Sequence, residues 1–370
     1  MGQKIDKITL KGFKSIKELV DFPLRDLNIL IGPNGAGKSN FVSLFTFLHE
    51  VIEGRLGLYA AKKGGTDDHL FMGPKVTKEI SAYVHFHPTG YGFCLEPTID
   101  NTFVFSDERI HLDFGGGETR EDSIGRGHRE STLKERRKKT DEPDFRVFQN
   151  VYESISSWVT YHVHDTSDTA PMRRAGSIRD NEYLRPDAAN LGAYLLMLRD
   201  QHRGVYEKIR DIVRLAAPFF DDFKFRPRAS NGDETLHLEW TQRGSDYPFL
   251  VTQLSDGTLR FIALTTALLQ PNPPATILLD EPELGLHPYA LTLLAELLKK
   301  ATENTQVIVS TQSASLLDHF EAEDVVVVER ENGASTFKRL SSGELGEWLK
   351  DYSLGELWEK NIFGGRPSNG

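Results

Sequence analysis

Hydrophobic residues recur along the chain in two rhythms, one of period two and one near 3.6, and the switches between them predict its elements. Three short strands are predicted at the start, Ile5–Leu10, Glu18–Phe22 and Leu27–Ile31, separated by Gly12-Phe13-Lys14-Ser15 and by Pro23. Phe41, Leu44, Phe45, Leu48 and Ile52 then fall on one helical face. From about 55 to 115, strands punctuated by Gly and Pro follow, among them Ile80–His87, Gly92–Leu95 and Thr102–Phe105. Residues 114–145 are Gly-rich, then highly charged, and predict an exposed excursion. A helix at 145–157, a strand at Trp158–His164 and a helical block over 187–217 come next. Beyond 276 the apolar runs TILLD and QVIVS flank a helix over Tyr289–Thr302, and strands Val325–Arg330 and Ser335–Leu340 follow. That β-α-β alternation predicts a mainly parallel sheet. No internal repeat and no sustained heptads are present, so no coiled-coil arm is expected.

Composition narrows the classes. The 370 residues are 39% hydrophobic and 26% charged, enough for a real core and for two or three folding units. No apolar run approaches membrane-spanning length, and the first residues lack the apolar centre of a signal peptide. A single cysteine, Cys94, excludes an internal disulfide and fits a reducing compartment, so a cytoplasmic location is expected. The net charge of −10 argues against a protein that coats nucleic acid with its whole surface. Any such contact must be local. One local candidate is Arg126–Lys139, with seven Lys/Arg against two Glu, which reads equally as a phosphate-binding stretch or as a solvated excursion.

The chemistry begins at Gly32-Pro-Asn-Gly-Ala-Gly-Lys-Ser39, which fits G-x-x-x-x-G-K-[ST] between a predicted strand and a predicted helix. In such a loop the backbone N–H groups of Asn34, Gly35, Ala36, Gly37, Lys38, Ser39 and Asn40 turn toward phosphates, aided by the helix N-terminus. Lys38 neutralises phosphate charge and Ser39 offers a hydroxyl to Mg²⁺. Thr276-Ile-Leu-Leu-Asp280-Glu281 supplies two carboxylates at the end of a buried strand. Asp280 suits Mg²⁺, and Glu281 suits the orientation and deprotonation of an attacking water. A third element, Ser255-Asp256-Gly257-Thr258, starts an apolar helix and forms a second anion-binding cap. One nucleotide has no need of two such sites in one chain unless the second serves a partner molecule.

Leu254-Ser-Asp-Gly-Thr-Leu-Arg-Phe, the run Leu-Leu-Asp-Glu-Pro-Glu-Leu-Gly-Leu-His-Pro (278–288) and the opening Ile-Thr-Leu-Lys-Gly-Phe-Lys-Ser (8–15) resemble the ABC-type ATPase heads of the SMC, RecF and OLD group. The resemblance covers roughly 1–55 and 250–330. It implies an α/β P-loop NTPase with an ABC-ATPase-like mixed sheet, an antiparallel β subdomain and a helical insertion. It divides the chain into head segments at 1–55 and 251–340, an inserted region at 56–250 and a tail at 341–370. On it, Ser255 and Gly257 correspond to the loop that reaches the γ-phosphate held by an opposite protomer. Pro282 to His287 match the loop lining the dimer seam, and Lys14 falls near the nucleotide.

The resemblance therefore implies an ATPase that uses ATP and Mg²⁺, forms an ATP-dependent homodimer and couples its cycle to DNA or to a separate effector protein, in DNA repair or anti-phage defence. The alternative is a nucleotide-gated scaffold with negligible turnover that recruits an effector. Two departures bear on that choice. Gln312 stands where many such heads carry histidine, so it can hydrogen-bond but cannot become a cation; Asp256 and Thr258 replace a glycine and a glutamine. Gln149 is the candidate for a further loop glutamine. Too little chain follows Gln312 for a nuclease domain like that of OLD proteins. No guanine-specificity motif is present, which favours ATP over GTP.

Lesser signals stay open. His162/His164 and His85/His87 each set two imidazoles two residues apart, read as structural or, for the first pair, as part of a loop near the nucleotide. Leu354, Leu357, Trp358 and Phe363, ahead of Arg366, suit docking on another protein or packing on the chain's own head.

Overall fold

The computed structural model describes residues 2–116, 118–141, 144–230 and 233–365. Its centre is a six-stranded sheet in the order Ala334–Arg339, Val325–Glu331, Leu27–Ile31, Gln306–Thr311, Thr276–Asp280, Val159–Tyr161. All neighbours are parallel except the first pair. The centres of its middle strands are apolar because both faces are covered. Ile29, Ile31, Ile277, Leu279, Val307 and Val309 point into one core, while Leu30, Leu278 and Ile308 point into a second.

The second core holds the helix Lys38–Ile52, whose Phe41, Leu44, Phe45, Phe47 and Leu48 are fully buried. On its far side lies an antiparallel sheet ordered Ile16–Pro23, Lys7–Phe13, Ile80–Phe86, Thr89–Pro97, Phe103–Gly115, Glu118–Gly125. The glycine-loop helix is therefore clamped between two sheets, which fixes its first turn. The first core is closed by the helices Leu191–Gln201, Arg203–Ala216, Asp256–Leu269 and Pro288–Ala301, with a small sheet built on the hairpin Phe220–Ser230/Asp233–Gln242. No helix of the described residues is long and apolar enough to cross a membrane.

The strand Leu27–Ile31 has the bounds its pattern predicts. Elsewhere packing overrides the pattern. The strand expected over Trp158–His164 stops at Tyr161, because His162 donates its backbone N–H to the Pro186 carbonyl at 2.8 Å. The region expected to be an exposed excursion at 114–145 is largely exposed, yet it also contributes an edge strand and docks Leu133, which is fully buried.

Glu108 explains that docking. Its carboxylate is fully buried. It accepts from Tyr91 Oη at 2.6 Å, Thr132 N at 3.1 Å, Thr132 Oγ1 at 3.0 Å and Ser131 Oγ, with His128 Nε2 at 2.9 Å. Glu130 next to this knot caps the helix Leu56–Lys62, accepting from Leu56 N at 2.7 Å and Gly57 N at 2.9 Å. The basic stretch is tied down as well, with Arg126 paired to Asp107, Arg129 to Asp100, Lys134 to Glu53, and Arg137 over the Tyr152 ring. In the tail, Leu354 is buried in the first core with Trp358 and Phe363 against it, and Leu357 is buried as well, so the segment packs on its own head; Arg366 lies outside the described residues.

Candidate functional site

The loop 32–37 leaves the central strand and enters the helix Lys38–Ile52 with no side chain capping its first N–H groups. Those donors are left for a ligand, the usual arrangement of an anion site. Gly37 has φ 114°, and a Cβ there would lie 2.0 Å from Ser335 Oγ. Only glycine fits that position. Ser335 Oγ is bonded to the Ala36 carbonyl at 2.6 Å and to Ser15 Oγ at 2.7 Å, and Asn40 Nδ2 donates to Ser15 Oγ at 2.8 Å. The Asn40 amide thus braces the loop. Asn34 and Gly35 are exposed at the tip, whereas Ala36 is buried.

Lys38 Nζ is buried and donates to the carbonyls of Gly32 at 2.6 Å and Pro33 at 3.1 Å. Burial pushes its ammonium below the ordinary lysine value, and Glu281, Asp280 and Glu283 pull in the opposite direction. Ser39 Oγ donates to Asp280 Oδ2 at 3.4 Å, and Asp280 Oδ1 is buried without a partner. Hydroxyl and carboxylate oxygens facing each other, one of them unsatisfied, fit a hard cation such as Mg²⁺. Glu281 follows at φ 40°, a region uncommon outside glycine, with its N–H on the Ser310 carbonyl at 2.7 Å. Gln312 Nε2 donates to Glu281 Oε1. The residues expected from separate motifs therefore meet: Lys38 and Ser39, Asp280 and Glu281, and Gln312.

Ser255 and Gly257 are not brought to this loop. Ser255 caps the helix Asp256–Leu269, its Oγ lying 2.8 Å from Thr258 Oγ1 and accepting from Thr258 N at 3.3 Å, and the residue is exposed. The cap is held rigidly from below. Buried Arg173 donates to the carbonyls of Thr166 at 2.8 Å and Val251 at 2.9 Å, and to Asp256 Oδ1 at 2.7 Å. Gly257 lies against the turn after Glu281, where an added Cβ would sit 2.2 Å from the Gly285 carbonyl oxygen. One turn on, buried Arg260 reaches the carbonyls of Val163 at 3.0 Å, His164 at 2.9 Å, and Leu284.

Lys14, at φ 50° in the turn between the first two strands, donates to Ser43 Oγ at 2.8 Å; burial and the nearby Lys63 push its ammonium down. His162 and His164 are exposed just past the strand whose Tyr161 pairs with Leu279, so His162 follows at the same end of the sheet as Asp280. His85 turns instead to Asp6, with Nδ1 3.2 Å from Oδ2. Gln149 is exposed on the helix Phe145–Ser156, bonded to Glu153 at 2.8 Å, away from any strand end. Glu283, expected only as part of the seam loop 282–287, joins the site through its own carboxyl. This carboxyl accepts from Thr311 Oγ1 and from Gln312 N at 3.3 Å, while its Oε2 is buried with no partner. Burial pushes it above the usual carboxylate range, against those hydrogen bonds, and the Glu281 charge adds to the push. Only its place two residues beyond Glu281 could have marked it.

No curated protein matches the chain. Two solved structures share its fold. One is an Smc head bound to the C-terminal winged-helix domain of ScpA, at TM-score 0.60 and 17% identity over 93% of this chain and 99% of that one. The other is an Smc head with an extended coiled coil bound to the C-terminal domain of ScpA, from Pyrococcus furiosus, at TM-score 0.56 and 17% identity over 94% and 99%. The fold is that of these Smc heads, a P-loop α/β fold. Residues 27–318 match the family described as "AAA domain, putative AbiEii toxin, Type IV TA system", and the chain belongs to that family of AAA domains.

Proposed function

We propose that this chain binds ATP in the loop 32–39, pairs with a second copy around two nucleotides, and hydrolyses them to reopen the pair. The observation that carries the reading is the meeting of three distant segments. Ser39 faces Asp280, and the Gln312 amide holds the carboxylate of Glu281, at the mouth of a loop with free N–H groups.

In this reading the N–H groups of residues 34–40 and the Lys38 ammonium hold the phosphates. Mg²⁺ would be held by Ser39 and Asp280 and would neutralise phosphate charge. Glu281 takes the proton of the attacking water, and Gln312 fixes the direction of that carboxylate. Ser255 and Gly257, which make no hydrogen bond to their own loop among the described residues, would present a capped helix start to the nucleotide of the other copy. The exposed Ser255 hydroxyl on a base locked by Arg173 supports this assignment. A DNA segment or a separate effector protein that prefers the closed pair couples to the cycle by no more than its difference in affinity for the two states. The Smc heads of the same fold are bound to ScpA, which favours a protein partner. A cytoplasmic role in DNA repair or anti-phage defence fits this cycle.

The test compares wild type with Glu281→Gln. Wild type turns over ATP, and the variant is slower by about 10²-fold or more, the usual share of a general base. With ATP and Mg²⁺ the variant sediments at twice the protomer mass. Equal, near-zero rates in both proteins would instead assign the chain to a nucleotide-gated scaffold.

A further inference from the structure

Between the Ser255 helix and the catalytic carboxylate the structure shows one continuous set of contacts. Gly257 packs against the Gly285 carbonyl, and Arg260 holds the carbonyl of Leu284. The adjoining Glu283 accepts from Thr311 Oγ1 and Gln312 N, and Gln312 Nε2 donates to Glu281. A turn bearing Glu283 thus touches the partner-facing helix at one end and the Gln312 turn at the other.

We propose that Glu283 is a positioning residue of this site: it anchors the Thr311–Gln312 turn and so sets where Gln312 holds the Glu281 carboxylate. The inference rests on the reading of Glu281 as the group that activates water. A carboxyl buried with one oxygen bare is a costly way to fill a core, so packing alone does not account for it. Its two accepted bonds both go to residues 311–312, the turn whose side chain reaches Glu281. Freed of them, the turn has no other side-chain tether to the segment 282–287 among the described residues. Gln312 then loses its fixed approach to Glu281. Glu283 has no hydrogen bond to the loop 32–39 among the described residues and reaches it only through its charge on Lys38, while Ser15 and Ser335 brace that loop separately.

The experiment measures steady-state ATP turnover and equilibrium ATP affinity in wild type, Glu283→Ala, Glu283→Gln, Thr311→Val and Glu281→Gln. Glu283→Ala lowers kcat about 10²-fold, the scale of a misplacement near 1 Å, with ATP affinity held within about twofold. Glu283→Gln keeps an acceptor oxygen for both bonds and recovers to within about tenfold of wild type. Thr311→Val removes the bond to Glu283 together with the one that Thr311 Oγ1 accepts from Ser313 N at 3.0 Å, loses about tenfold or more, and keeps the test open if Glu283→Ala does not fold. Glu283→Ala turning over at the wild-type rate, losing ATP affinity in step with kcat, or being no worse than Glu283→Gln would each overturn the inference. If wild type and Glu281→Gln turn over alike, the functional reading itself falls and this inference with it.

Discussion

Replacing Gly257 with alanine puts a methyl group where the Gly285 carbonyl already sits. The added Cβ would lie 2.2 Å from that oxygen and 3.1 Å from its carbon, both backbone atoms that no rotamer change can move. An ordinary C···O contact is about 3.3 Å, so the helix start and the 283–287 turn must part by about 1 Å. Gly257 does not have a left-handed φ, so the effect is steric and not one of backbone strain. Overpacking of this kind costs about 1–3 kcal/mol of stability. A 1 Å shift of groups that orient a reaction costs about 10² in rate. The assay pairs urea unfolding with ATP turnover and ATP affinity. The expected result is a folded variant with lower stability, kcat down by about two orders of magnitude and ATP affinity unchanged. Gly204→Ala is the control, since a Cβ there meets nothing within 4 Å, and it leaves turnover alone. Wild-type turnover and stability in Gly257→Ala would refute the steric reasoning and remove the Ser255 helix from the catalytic cycle.

Two further predictions concern the scaffold. Burial would raise the Glu108 carboxyl, but the bonds from His128, Ser131, Tyr91 and Thr132 outweigh it and hold the group below the ordinary glutamate value of 4.5. Its contribution to stability is therefore present above about pH 4.5 and is lost as pH falls through the lower folded value. Glu108→Gln is less stable than wild type by about 2–4 kcal/mol at pH 7, with a gap that closes on acidification; a pH-independent gap in urea unfolding speaks against an ionised Glu108. Arg173→Ala orphans the carbonyls of Thr166 and Leu254, leaves that of Val251 with only its bond from Leu254 N, and costs about 2–4 kcal/mol, with Lys a poor substitute for the planar fork. An unfolding midpoint equal to wild type would show that the Ser255 cap needs no such clamp.

Legibility followed burial on both faces. Leu27–Ile31, Thr276–Asp280 and Gln306–Thr311 stand out because every position along them except Asp280 is buried, and a run whose centre is apolar on both faces has few other readings. The glycine loop and the Asp280-Glu281 pair were legible for the same reason, since each ends such a strand. The hairpin at 220–242 was not. Its first strand alternates Phe223 and Phe225 with Lys224 and Arg226 and includes Pro227, which is tolerated because that strand lies at the sheet edge. In Glu118–Gly125 only Ile124 is buried, and pairing with Phe103–Gly115 supplies the order that composition conceals. The part that the Glu283 carboxyl plays was invisible for a different cause. Its partners Thr311 and Gln312 lie far along the chain, and the φ of Glu281 is a property of the folded turn alone.

The brace joining Ser15, Ala36 and Ser335 has a consequence for how the protein is made. Ser15 and Ser335 are 320 residues apart along the chain, and the strand feeding the glycine loop is flanked by Gln306–Thr311 and Val325–Glu331. A growing polypeptide on the ribosome cannot settle that loop until residue 335 has emerged from the exit tunnel. Nucleotide capture is thereby deferred until that residue is in place, and shorter nascent fragments are kept out of the cycle.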